Sequence, residues 1–116
     1  MPPGGWGPDE LPSTGPQRPV PRAPEAWQRV LFDSARSMAH KGEVRQAREF
    51  YRRAVAVAPD GPLAAEAQVA LAELMLVAGE REEGLKLLEA TRRDILAGKL
   101  VGGPTLLQRI AELSGS

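Results

Sequence analysis

Gly42-Glu43-Val44-Arg45-Gln46-Ala47-Arg48-Glu49-Phe50-Tyr51-Arg52-Arg53-Ala54-Val55-Ala56-Val57-Ala58-Pro59 is the stretch that decides the fold. The glycine stops one helix, and Pro59-Asp60-Gly61-Pro62 is a strong break after the next. Between them, from about Glu43 to Ala58, the residues Val44, Ala47, Tyr51, Ala54, Val55 and Ala58 recur at helical spacing and form an inner stripe. Upstream, Pro24-Glu25 starts a helix, with a carboxylate at its positive end. Trp27, Val30, Leu31, Ser34, Ala35 and Met38 then share one face, which is expected to be the buried one. The two segments make a helical hairpin over residues 25–58.

The pattern recurs downstream. Leu63 to Ala78 is apolar nearly all round, so this helix is expected to be covered on more than one side. Gly79 ends it, and a charged segment from Glu80 opens a longer helix with Gly84, Leu87, Leu88, Thr91 and Ile95, completing a hairpin over 63–97. Gly102-Gly103-Pro104 leads into a last short helix, 104–113, with Leu106, Leu107, Ile110 and Leu113. Composition points the same way: alanine and leucine number 31, valine, isoleucine and threonine together 13, which favours helices over strands. The predicted fold class is all-α.

Gly42, Ala47, Tyr51, Ala54 and Pro59 stand at the spacing of the second half of a tetratricopeptide repeat, and Leu31, Ser34, Ala35 and Met38 take the places of its first helix. Leu71, Ala72, Met75, Gly79, Gly84 and Leu88 match in a second copy, although Thr91 replaces a small residue and no proline closes it. Gly42 and Gly79 are 37 residues apart, against a family period of about 34. Residues 28–98 thus resemble two degenerate tetratricopeptide hairpins. The C-terminal helix resembles the capping helix that covers the end of such arrays. A generic bundle of four or five helices is the alternative.

Eight of the eleven prolines lie in residues 1–24, with four glycines, so this stretch is expected to be a disordered or polyproline-like arm. Leu11-Pro12-Ser13-Thr14-Gly15 matches a cell-wall sorting pentapeptide, without the apolar stretch and basic tail that accompany one. Arg18-Pro19-Val20-Pro21-Arg22-Ala23-Pro24 fits a ligand for an SH3-type groove, and reads equally as a linker. No apolar signal segment follows Met1 and no apolar span of membrane length occurs, which makes the cytoplasm the expected compartment.

Formal net charge is zero, with 15 basic and 15 acidic side chains, which argues against a dedicated nucleic-acid or membrane binder. The balance hides an asymmetry: residues 25–58 carry seven basic and four acidic groups, and residues 59–116 six and nine. Arg45, Arg48 and Arg52, with Arg53 beside them, form a basic stripe on the second helix, interrupted by Glu49. It reads as a solvated face, or as a contact for an acidic protein, RNA or membrane surface.

The absence of cysteine and the single histidine, His40, leave no metal site. Asp33, Arg36 and His40 share one side of a helix, but no nucleophile is placed with them in sequence. Gly102-Gly103-Pro104-Thr105 lacks the lysine and the preceding strand of a phosphate loop. No catalytic residue, metal, cofactor or small-molecule substrate is expected.

The family resemblance implies a non-enzymatic adaptor or scaffold in which the first helix of each hairpin lines a groove for a partner peptide or helix. Carried onto this chain, the groove candidates are Arg29, Phe32, Arg36 and His40 on the first helix and Glu66, Val69, Glu73 and Val77 on the third. The chain has no asparagine, so the asparagine–lysine clamp of chaperone-binding members is missing. Arg29 and Glu66, like Arg36 and Glu73, differ by the 37-residue offset and are expected to face each other around Phe32, Val69 and Val77. The alternative function is a structural or assembly subunit that acts through self-association.

Overall fold

The computed structural model describes residues 23–115, and the arm, with its sorting-like and proline-rich motifs, lies outside them except for Ala23 and Pro24. Those two residues open the first helix rather than closing the arm. Five helices follow in order: α1 Ala23–His40, α2 Val44–Val57, α3 Ala64–Val77, α4 Arg81–Leu96 and α5 Pro104–Leu113. There is no strand among the described residues, and the fold is all-α. α1 packs on α2, α2 on α3 and α3 on α4, while α5 lies against α3 and α4.

The two hairpin turns are built alike. At the end of α1, Gly42 N–H donates to Ala39 C=O and Glu43 N–H to Met38 C=O. At the end of α3, Gly79 N–H donates to Leu76 C=O and Glu80 N–H to Met75 C=O. Each is the paired-bond C-terminal motif in which a residue in the left-handed region satisfies the last carbonyls, with φ +82° at Gly42 and +86° at Gly79. The 37-residue sequence offset is therefore repeated in turn geometry.

α3 is central, as its all-round apolar sequence requires. Ala67 and Leu71 enter a core with Phe32, Ala35, Ala47, Tyr51 and Ala54. Ala65, Val69 and Ala72 enter a second core with Leu88, Ile95 and Ile110. Alanines at the crossings let the helix axes approach closely, and the larger side chains fill the remaining space.

α1 is rotated from the expected phase. Its buried residues are Gln28, Phe32 and Ala35, with Ala39 half-buried, whereas Trp27 and Val30 are 59% and 51% exposed. The buried stripe is offset by one position from Trp27, Leu31, Ser34 and Met38, a turn of about 100° around the axis. The reason is Gln28, whose Nε2 donates to the carbonyls of Ala54 and Ala58, at 2.8 Å each, and whose Oε1 accepts from Leu63 N–H at 3.0 Å. One amide thus ties α1 to the end of α2 and the start of α3, where backbone groups lack partners within their own helix. Gly61 makes room for it, since a Cβ there would stand 2.5 Å from Gln28 Oε1.

A further tie joins the hairpins. Arg48 of α2 donates two hydrogen bonds to Glu80 before α4, at 3.0 and 2.8 Å. This fork-to-fork pairing takes Arg48 out of the basic stripe read from the sequence, leaving its side chain 19% exposed. Glu80 is held below the usual carboxylate range, first by the hydrogen bonds from Arg48 and then by the positive charges of Arg48 and Arg52.

Candidate functional site

α1 and α3 form the facing walls of a groove, α2 supplies part of its floor, and the segment leading into α5 closes a third side. Its volume is about 950 Å³. Phe32, Arg36, His40, Glu66, Val69, Glu73 and Val77 all line it; Arg29 does not. Arg29 bonds instead to Asp33 on its own helix, at 3.2 Å.

The lining residues differ in depth. Phe32 and Val69, read from the sequence as lying off the core, are buried, because the rotation of α1 turns Phe32 inward and α5 covers Val69. Phe32 meets Tyr51 edge-to-face, with ring centroids 5.7 Å apart and planes at 64°, and Arg36 lies over the outer side of Phe32 at 5.9 Å. Val77, at 78% exposed, presents its side chain freely at one end of the groove.

The expected cross-groove ion pairs are replaced. Glu73 accepts from Arg109 of α5 at 2.7 Å, rather than from Arg36, and Glu66 has no ion-pair partner among the described residues. α5 is short and covers the end of α3, which brings Arg109 within reach of Glu73 while Arg36 is held over Phe32. Arg36 and His40 on α1 and Glu66 on α3 are left exposed, positive on one rim and negative on the other.

Sequence reasoning missed two contributors. Tyr51 was placed as a core knob, yet its ring also forms groove floor, and its hydroxyl has no hydrogen-bond partner among the described residues. Burial pushes this phenol above the usual tyrosine range, with Arg36 acting in the opposite direction and Glu73 reinforcing the rise. The second contributor is the α5 side: Val101, Leu106 and Arg109. Only the apolar spacing of α5 was legible, and it signalled a cap, not a wall.

No family model matches the chain, and neither a curated protein nor a solved structure matches it. Among the described residues no group of three or more histidine and carboxylate side chains could hold a metal ion. No helix among them is long and apolar enough to cross a membrane. What the groove offers chemically is an apolar floor, one unsatisfied hydroxyl and rims of opposite charge.

Proposed function

We propose that this chain is a non-enzymatic, cytoplasmic adaptor whose α1–α3–α5 groove holds a peptide or amphipathic helix of a partner protein. The observation that carries the reading is the groove itself, in which Phe32, Tyr51, Val69 and Leu74 lie between the positive rim of Arg36 and His40 and the negative rim at Glu66. From Glu66 to Val77 it follows α3 for about 16 Å at helical rise, room for roughly five extended residues or three helical turns. A partner segment laid there would bury apolar side chains on the floor, orient its charges between the rims and supply an acceptor to the Tyr51 hydroxyl. The likeness to tetratricopeptide hairpins supports the same placement of a partner.

The test uses two exposed lining residues, so that the fold is kept. Tagged full-length chain, Val77→Asp and Glu66→Lys are compared by affinity purification with mass spectrometry, followed by titration with the captured partner. The expected result is a species retained by the native chain and weakened at least tenfold by both substitutions. An identical captured set with unchanged affinity would overturn the groove reading. The runner-up, a subunit that acts through self-association, rests on a different face, the N-terminal end of the array.

A further inference from the structure

The two ends of the helical array are finished differently. At the C-terminal end α5 covers the second core and buries Ile110. At the N-terminal end no described element covers α1. The stripe displaced from the core by Gln28 is apolar: Trp27 and Val30 are exposed, and Leu31, Ser34 and Met38 are half-buried. On α2, Arg48 points toward α4, so Phe50, on the opposite flank, extends the same end face, with Arg53 stacked on it at 5.3 Å. Glu43, the repeat equivalent of Glu80, is exposed here and has no ion-pair partner among the described residues. An array needs a polar or covered end, and this end is neither.

We propose that the occupant of this face is a second copy of the chain, joined about a two-fold axis through antiparallel α1 helices. Three observations favour it. First, Trp27, Leu31, Ser34 and Met38 have a 4-3-4 spacing, which reads the same in both directions. An antiparallel copy therefore sets Trp27 against Met38 and Leu31 against Ser34, each twice, large beside smaller near the axis. This is the self-complementarity that an isologous contact requires. The alternation of three and four residues is also the seam along which two helices pack at a shallow angle. Second, the stripe contains no charge, and Arg29, Asp33 and Arg36 lie on the groove side of α1. Third, α5 blocks the other end, so head-to-tail stacking is closed off and association stops at two.

Charge makes the proposal specific. The contact brings together the two basic hairpins, each with seven basic and four acidic groups, so salt that screens their repulsion should tighten the pair. A head-to-tail contact between basic and acidic halves would loosen instead. Sedimentation of the full chain over a wide concentration range should approach twice the 12.5 kDa chain mass, with a dissociation constant that falls as salt rises. Trp27→Glu with Val30→Glu, both at exposed positions, should halve the mass at unchanged helical circular dichroism. Trp6→Phe leaves Trp27 as the sole indole, and its emission should shift to the blue as concentration increases. A chain that stays monomeric at every concentration overturns the proposal. So does a dimer that survives the double substitution or loosens with salt. Trp27 emission that is blue-shifted at every dilution would assign the face to the chain's own arm and overturn it equally.

Discussion

At the scale of the residue, Gln28 contributes most by satisfying others. Its side chain is fully buried and makes three hydrogen bonds to backbone groups of two other segments. Gln28→Leu keeps the volume and leaves a buried N–H and carbonyls without partners, an expected loss of about 2–4 kcal/mol measured by urea unfolding. A loss under about 0.5 kcal/mol would show that water replaces the amide. Tyr51→Phe is the converse case. The hydroxyl has no described partner, so stability should stay within about 0.5 kcal/mol while partner affinity falls. Neither role was legible in the sequence. A glutamine between two exposed apolar residues reads as a solvated position, and only the meeting of three chain segments makes it a core residue.

At the scale of the element, the hairpins were legible because their punctuation is local. Gly42, Gly79 and Pro59-Asp60-Gly61-Pro62 end helices by backbone geometry alone, and the observed bounds follow them closely. The phase of α1 was not legible in the same way. Periodicity gives the most apolar face, and the buried face equals it only where every apolar stripe has a neighbour; here one stripe faces outward. The link between α2 and α4 also escaped sequence reading, because Arg48 sits in an apparently solvated run. That link has a pH signature. The folded-state pKa of Glu80 lies below its unfolded value near about 4.3, so its contribution is present above that value and is lost as pH falls through the folded pKa. Glu80→Gln should therefore lower the Tm at pH 7, and the gap to the native chain should shrink and close as the solution is acidified below the usual glutamate range. A gap that is the same at pH 7 and in strong acid would show that the pairing does not stabilise the fold.

At the scale of the whole molecule, zero net charge is the sum of a basic first hairpin and an acidic remainder, joined through Arg48 and Glu80. The groove lies along the same axis, and α5 belongs both to the capped end and to the groove wall. α5 has ten residues, fewer than the roughly 12–15 a helix needs to persist alone in water. Its helicity is therefore borrowed from the contacts beneath it, and Arg109–Glu73 is one of these. The groove thus has a wall that comes and goes with local unfolding, and its occupancy is thermodynamically linked to that equilibrium. A bound partner that favours the closed wall should slow amide hydrogen exchange at Ile110 and Leu113, which lie outside the groove lining. Unchanged exchange there at saturation would show that α5 is set independently of what the groove holds. The end cap is then also a reporter: the fraction of time it stays folded measures how full the groove is.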